Sequence, residues 1–154
     1  MAVGKWFGPA LGKVLGKQID LVNDTIKVAL VTGSYSPNVD THDEWADVSA
    51  NEASGTGYTA GGVALSSKTL TYDSTNNYWT FDAADIAWSG VTLSFRYAVI
   101  YDDTATGKPL LGYVDFGSSQ SATNQDVGIK WEFFYQDPES MAITTDSGIL
   151  RATV

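Results

Sequence analysis

The only histidine of the chain lies in an acidic segment, where metal binding or acid–base chemistry must be considered first. His42 stands in DTHDE, next to Asp40, Asp43 and Glu44. Zinc and iron sites use several histidines or cysteines, and this chain has one His and no Cys. The acid-and-glycine spacing of an EF-hand is also missing. We therefore predict no metal site, and we interpret the segment as a solvated helix start.

Two glycine-rich segments invite comparison with nucleotide-binding loops. GTGYTAGG places glycines at Gly55, Gly57, Gly61 and Gly62, which is not the GxGxxG spacing. A strand-like run follows it, so no helix N-terminus is available for a pyrophosphate. ATGKP lacks the upstream glycine and the following Ser or Thr of a Walker loop. Both segments predict structural loops, and we predict no cofactor.

Nucleophilic and paired-carboxylate catalysis find no support in the motifs. The chain contains no GxSxG sequence, and its single His lies in an acidic helix start. Asp102 with Asp103, and Asp82 with Asp85, are close in sequence, but acids at turns are commonly only solvated charge. We predict no catalytic residues and no enzymatic activity. A small hydrolase or lyase would require a cleft lined by Asp82, Asp85 and Asp102.

The charge of the chain is unevenly distributed. Residues 1–27 hold four lysines and two aspartates and have a net charge of +2. The other residues have a net charge of −11, which gives the total of −9 for the chain. A body this acidic repels phosphate backbones, and we predict no nucleic-acid partner. Lys13, Lys17 and Pro9 interrupt the first apolar run, and no apolar stretch reaches membrane-spanning length. We expect a soluble protein that is not exported through a signal sequence.

Apolar residues alternate with polar ones from Thr25 onward, which predicts β-strands. TLSFRYAVIYDD is the clearest run, with Leu93, Phe95, Tyr97 and Val99 expected on one face. The other runs are TIKVALVT, VALSSKTLTY, NYWTFD, LLGYVDF, DVGIKWEFFY and GILRATV. The connections DSTNN, DDTATGKP and SSQSATNQ are rich in turn residues. We predict an all-β antiparallel sandwich or barrel, jelly-roll or immunoglobulin-like, of about seven or eight strands over residues 25–154.

Two segments of this domain depart from the alternation. NVDTHDEWADVS is the only stretch here that predicts a short helix, with Asp40 or Thr41 as cap and Trp45 with Val48 as its apolar face. ANEASGTGYTAGG, which comes next, has no period, and we predict that it packs across a sheet as an irregular segment. Most aromatic residues, including the Trp79 side chain, are expected in the core.

Residues 1–24 form a separate N-terminal arm in this interpretation. GKWFGPALGKVLGKQ has glycine at every fourth position, and each Gly costs a helix about 1 kcal/mol relative to Ala. Trp6 and Phe7 lie outside any predicted strand, where nothing local covers them. The arm therefore either gains its order on a neighbouring molecule or folds back on its own domain as a helix. The candidate partner-binding residues are Lys5, Trp6, Phe7, Leu11, Lys13, Val14, Leu15 and Lys17.

The order and texture of several motifs resemble a known group of proteins. NDTIKVALVT, EASGTGYTAGGVAL, FDAADIAWS, RYAVIYDD, LLGYVDFG and GILRAT are similar to small proteins encoded among the virion structural genes of tailed bacteriophages. The resemblance extends over residues 16–154, and its most specific part is GTGYTAGG followed by DAADIAWS.

The resemblance implies a role in the phage particle rather than a chemical activity. Such proteins are similar in size and β-content to capsid decoration, or cement, proteins, which bind outside an assembled head. The expected partners are the major capsid protein and other copies of the chain, in virions assembled in the host cytoplasm, and the resemblance implies a trimer as the common oligomer of such proteins. A tail, neck or fibre position with a receptor- or carbohydrate-binding role is the alternative, in which DSTNNYW or SSQSATNQDV would supply exposed aromatic and amide groups.

Overall fold

The computed structural model describes the backbone of residues 3–136, 143–147 and 150–153, and the side chains of residues 4–131. One α-helix lies near the start of this part of the chain, and the rest is mainly strand. The elements in chain order are β1 (Val3–Trp6), α1 (Gly8–Leu15), β2 (Ile26–Val31), β3 (Val63–Ala64), β4 (Thr69–Asp73), β5 (Tyr78–Asp82), β6 (Ile86–Asp102), β7 (Leu110–Ile129), β8 (Glu132–Gln136), β9 (Ile143–Ser147) and β10 (Leu150–Thr153).

The described strands form three antiparallel sheets. The largest sheet has the order β1-β7-β6-β2-β3, and it is dominated by the long hairpin of β6 and β7. A second sheet has the order β10-β5-β4, and β8 pairs with β9. The predicted all-β antiparallel class is confirmed, and the α-helix of the described residues is α1 in the N-terminal segment. The large sheet is open, with β1 and β3 at its two ends, so a closed barrel is not formed.

The large sheet has apolar side chains packed on both of its faces. In β2, Val28 and Leu30 belong to one core cluster, whereas Ala29 and Val31 belong to another. The first cluster also holds Phe81 of β5, which ties the second sheet to the first. Because both faces are covered, β2 is almost continuously buried and not half-exposed as simple alternation would suggest.

The side of β6 that packs in the first core cluster changes partway along the strand. Leu93 and Phe95 pack in the first cluster, but Tyr97 and Val99 pack in the second. The pairing with β7 shifts between Phe95 and Tyr97, and an irregularity of this kind reverses the inward and outward positions. The prediction that these residues share one face is therefore wrong, although each of them is buried as expected of core.

β7 includes a segment that the sequence predicts as a turn. SSQSATNQ lies inside β7, where it pairs with the first half of β6. Its side chains are mostly exposed, so the strand is held there by backbone hydrogen bonds and not by burial. Gly117 and Asn124 have positive φ values of 83° and 48°. The chain bends at these two residues while the long hairpin remains paired. DVGIKWEFFY is also divided, since β7 ends at Ile129 and β8 begins at Glu132.

The predicted helix around Trp45 is wrong, since the chain there makes two short 3-10 turns, Trp45–Asp47 and Ser49–Asn51. Two contacts hold the first turn against the end of the β6–β7 hairpin. The Trp45 N–H donates to the Lys108 carbonyl at 2.9 Å, and the indole stacks on the ring of Tyr101 with centroids 4.4 Å apart. These tertiary contacts fix an irregular path that local helix signals do not reveal.

The glycine-rich stretch does cross the large sheet as an irregular segment, as predicted. Glu52 forms an isolated bridge to Val31, and Thr56 forms one to Thr92. At Gly62 an added Cβ would lie 1.9 Å from the Val28 carbonyl oxygen. This close approach of backbone to backbone is the structural reason for glycine at that position.

Candidate interaction surface

The N-terminal arm is built into the domain through backbone pairing. β1 pairs with β7, with Trp6 opposite Gly112, and the Phe7 N–H donates to the Leu111 carbonyl at 3.0 Å. The Phe7 side chain is fully buried and its ring centroid lies 5.4 Å from that of Tyr113. The expectation that nothing local covers Trp6 and Phe7 is therefore wrong: Trp6 is half-buried and Phe7 belongs to the core.

α1 follows β1 in the chain, and one side of the helix packs against the rest of the domain. Pro9 is in its first turn, where a missing N–H costs nothing, and Gly16 caps its C-terminus. Ala10 is fully buried and Val14 packs against the first core cluster. Lys13 Nζ lies 2.5 Å from Asp43 Oδ1, so one of the three candidate partner-binding lysines is already paired within the chain. These contacts explain how a glycine-rich segment remains helical, because packing outweighs weak propensity.

The opposite side of α1 remains uncovered. Leu11 is 44% exposed and Leu15 is 77% exposed, and their spacing of four residues places them on one side of the helix. Lys17 lies just beyond the C-terminus with φ 61°, and it is exposed, as is Lys5 on β1. We call Leu11, Leu15 and Lys17 the α1 face. Of the eight predicted partner-binding residues, Lys5 and the α1 face are exposed, while Trp6, Phe7, Lys13 and Val14 contact the chain itself.

An open cavity of about 440 Å³ lies beside the inner edge of α1. Lys13, Gln18 and Glu44 supply its polar lining, and the turn at residues 105–109 completes the wall. Lys13 is paired with Asp43, so its ammonium group is not a free cationic site in this cavity.

A second exposed apolar surface lies on the sheet formed by β4 and β5. Leu70, Tyr72 and Trp79 are 43%, 42% and 42% exposed. Tyr72 stands directly opposite Trp79, and Leu70 stands opposite Phe81, so all four share one side of the hairpin. Phe81 is buried, which anchors this side at one end. We call Leu70, Tyr72 and Trp79 the β4–β5 face.

Polar groups at the hairpin turn border the β4–β5 face. The rings of Tyr72 and Trp79 have centroids 5.3 Å apart, and the Tyr72 hydroxyl donates to Asn77 Oδ1 at 3.1 Å. Hydrogen bonds from Asn76 and Thr75 to the Asp73 carboxylate lower the pKa of Asp73 to about 2, so this half-exposed group, which by register lies on the Tyr78 side of the hairpin, is ionised at neutral pH. Sequence reasoning assigned Trp79 to the core, because alternation shows which residues share a side but not whether that side is covered.

The carboxylates that the sequence singles out serve separate structural contacts. Asp82 accepts the Ala83 N–H, and Asp85 accepts the Trp131 N–H at 3.0 Å. Asp103 lies 2.7 Å from Lys27 Nζ and 2.6 Å from Lys108 Nζ, and these cations lower the pKa of its carboxyl. Each group thus has its own structural partner.

Asp102 is a fully buried carboxylate at the end of β6. Its Oδ1 accepts the N–H groups of Thr104 and Ala105 at 2.8 and 3.1 Å, which shapes the following turn. Burial raises the pKa of Asp102 to about 6, with a further contribution from the neighbouring Asp24 carboxyl, against the opposing effect of the two N–H donors. The neutral form of this buried carboxyl is therefore favoured up to a higher pH than in an exposed aspartate.

His42 is also tied into local structure. Its Nδ1 lies 2.8 Å from the hydroxyl of the buried Tyr35, and the two rings stack with centroids 5.5 Å apart. Among residues 3–136 and the other described segments, no group of three or more His, Cys, Asp or Glu side chains is placed to hold a metal ion.

No α-helix in the described part of the chain has the length and hydropathy to cross a bilayer. Comparison with protein-family models, curated proteins and solved structures finds no match to this chain.

Proposed function

We propose that this protein is a non-enzymatic structural component of a tailed-bacteriophage virion, a decoration protein that binds the outside of the capsid. Inter-subunit contacts, including those of the N-terminal segment, attach it and stabilise the shell. The resemblance of its motifs to phage virion proteins supports this role. So does an acidic domain whose singled-out carboxylates are engaged in structural contacts.

The observation that carries the proposal is the exposure of Leu15 on an anchored helix. Leu15 is 77% exposed, while the inner side of the same helix is buried. A helix that is fixed in place loses little conformational entropy on binding, so apolar burial translates more fully into affinity. Covering Leu11 and Leu15 would contribute about 1 to 2 kcal/mol each. Repetition over a symmetric shell multiplies such modest contacts through effective concentration.

The test is attachment to particles that lack this protein. Purified chain is mixed with such particles, and the bound fraction is measured by co-sedimentation as a function of concentration. The Leu15→Asp variant should bind at least about tenfold more weakly, because it places a charge in the contact. Its melting temperature should fall by only a few degrees, because Leu15 makes few contacts in the folded chain and an acidic side chain at the C-terminus of α1 is mildly unfavourable.

The matched control is Ala50→Asp, which adds the same charge at another exposed position. It should bind as the native chain does. Equal binding by native chain and Leu15→Asp would remove the α1 face from the attachment site. Failure of native chain to bind heads would refute the decoration role. Localisation to tails by electron microscopy would favour the alternative position at the tail, neck or fibre.

A further inference from the structure

Part of β7 has a neighbouring strand on one side only. β6 pairs with β7 along most of its length, whereas β1 pairs with it only up to Asp115. Past Asp115, no strand of the described residues lies on the side of β7 away from β6. Residues 118–123 are the stretch of this side between Gly117 and Asn124, where positive φ values bend the chain. We call residues 118–123 the open edge.

Side chains of β7 itself replace the missing neighbour at two backbone groups. The Asp115 carboxylate accepts the Gly117 N–H at 2.8 Å, and the Gln120 side-chain amide donates to the Ser118 carbonyl at 3.0 Å. Gln120 is exposed, so a partner strand could take over its contact. The backbone donors and acceptors of an unpaired strand edge recognise one kind of ligand, which is another extended backbone.

The other edge of the same hairpin is covered. The Thr56 carbonyl of the glycine-rich segment accepts the Thr92 N–H of β6 at 3.0 Å. Gly55 approaches β6 so closely that an added Cβ would lie 1.9 Å from the Thr92 carbonyl oxygen. Within the described residues, the chain therefore covers the edge of β6 here and leaves that of β7 uncovered.

The open edge lacks the features that commonly keep strand edges apart. Proteins protect such edges with Lys, Pro or a covering segment. The sequence of this edge, SSQSAT, has no proline and no charged residue, although the chain has a net charge of −9. All of its side chains except Ala122 are exposed, and all except Gln120 are small. A second backbone can therefore approach the edge closely.

A second copy of the chain suits this edge for reasons of symmetry and charge. Two antiparallel strands of the same sequence exchange the same hydrogen bonds in both directions, so the edge is complementary to itself about a two-fold axis. Copies of so acidic a chain repel each other, and an uncharged edge lets them meet with little local repulsion. The nearest charged residues in the sequence lie beyond the two bends. Asp115 is paired with Arg96, and Asp126 accepts the Gly90 N–H.

We infer that the open edge pairs antiparallel with the open edge of a second copy, which joins the two large sheets across a two-fold axis. This contact goes beyond the proposed function, since it uses a different surface and leaves the α1 face available to a capsid. Pairing over so short a stretch gives a modest affinity, which repetition on a shell would reinforce.

The first experiment places a charge on the open edge. Ser121→Lys brings two cations together when the edges pair, so association measured by analytical ultracentrifugation should weaken at least about tenfold. Ser94→Lys is the matched control, because Ser94 is also exposed and stands directly opposite Ser121 on the inner strand β6. It should associate as the native chain does, and similar weakening in both variants would overturn the inference. Circular dichroism melting checks that both variants are folded.

A charge exchange identifies the partner of the edge. Ser121→Lys and Ser121→Glu should each associate weakly alone, because like charges meet about the two-fold axis. Their equimolar mixture should regain the dimer, because opposite charges then meet. A mixture that stays monomeric would show that the edge binds some other surface, and it would overturn the inference.

The second experiment traps the contact as a disulfide in a chain that has no native cysteine. Paired edges bring two Ser121 positions near the axis, within reach of a disulfide. Two Ser94 positions would lie about 14 Å apart, across three strand spacings, which no disulfide can bridge. Oxidised Ser121→Cys should therefore give at least about tenfold more covalent dimer than Ser94→Cys. Equal yields would overturn the inference.

Failure of this inference and failure of the proposed function are distinguishable. Native chain that is monomeric at every concentration, with no covalent dimer of Ser121→Cys, refutes the edge pairing while binding to heads through the α1 face can still stand. Dimers through the open edge in a chain that does not bind heads support the pairing and refute the decoration role. Binding of oligosaccharides on a glycan array that is lost in Ser121→Lys would assign the edge to a carbohydrate and overturn the inference.

Discussion

Phe7 packs against Tyr113, with ring centroids 5.4 Å apart, and this contact joins the N-terminal segment to β7 of the large sheet. Phe7 is fully buried, so its replacement leaves a cavity. We expect Phe7→Ala to lower the free energy of unfolding by about 3 to 5 kcal/mol. Denaturant unfolding followed by fluorescence measures the change. Leu15→Ala is the control, and it should cost little because Leu15 is mostly exposed; similar losses for both would contradict the position of Phe7.

Removal of residues 1–20 should destabilise the domain and not merely abolish binding. The deletion takes away β1, exposes the edge of β7 and empties the space of Phe7 and Ile19. Unpaired strand edges promote association, so we expect aggregation or a strongly lowered melting temperature. Size-exclusion chromatography and circular dichroism distinguish these results from a monomeric domain of native stability, which would show that the arm is dispensable for folding.

Glycine substitutions should have opposite effects at two positions. In Gly62→Ala the new Cβ lies 1.9 Å from the Val28 carbonyl oxygen, and the residue has φ +74°. We expect a loss of about 2 kcal/mol or more in the free energy of unfolding. Gly12→Ala places its Cβ in open space within α1, and it should stabilise the protein by up to about 1 kcal/mol. Equal effects in thermal melting would contradict the crossing path of the glycine-rich segment.

Asp102 should make stability fall as the pH rises from about 4 to about 6. Its pKa is raised from 3.8 to about 6, so the folded state binds more protons than the unfolded state between these values. The stabilisation is complete below the lower value and is lost as the pH passes through the upper one. The cost at neutral pH is about 1 to 3 kcal/mol.

Asp102→Asn removes this titration and retains an oxygen acceptor for the turn. Urea unfolding between pH 4 and pH 8 should give a flatter profile, with greater stability than native chain at pH 7. Asp103→Asn provides the control with the opposite sign, because Lys108 and Lys27 lower the pKa of Asp103. That variant should lose stability at neutral pH. Parallel profiles for native chain and Asp102→Asn would contradict the raised pKa of the buried Asp102 carboxyl.

Alternation in the sequence identified most strands because it reports local burial. The run from Thr25 predicts β2 to within a residue at each end, since Ile26, Val28 and Leu30 face one core cluster. The same reasoning cannot reveal that Phe95 and Tyr97 pack on different sides of the sheet. They are still two residues apart in the sequence, and an irregularity in strand pairing does not alter that spacing. Backbone pairing likewise overrides the turn residues of SSQSATNQ.

The N-terminal segment was harder to predict because its order depends on distant residues. Helix propensity and glycine spacing argue against α1, and its packing through Ala10 and Val14 helps to hold it. Exposure of Leu15 is consistent with the predicted partner-binding role, but Phe7 shows that neighbouring apolar residues in one segment serve different purposes. The alternation showed which side of its strand Trp79 occupies, but it did not show whether other parts of the chain cover that side.

The pairing of β1 with β7 has a consequence for synthesis of the chain. Val3 pairs with Asp115 and Trp6 pairs with Gly112, so more than a hundred residues separate the partners. β1 leaves the ribosome well before β7, and it therefore waits until β7 has been translated before it can join the sheet. Contacts this distant in sequence slow folding and expose the waiting segment to wrong partners. The lysines near this strand keep that early segment charged while it waits.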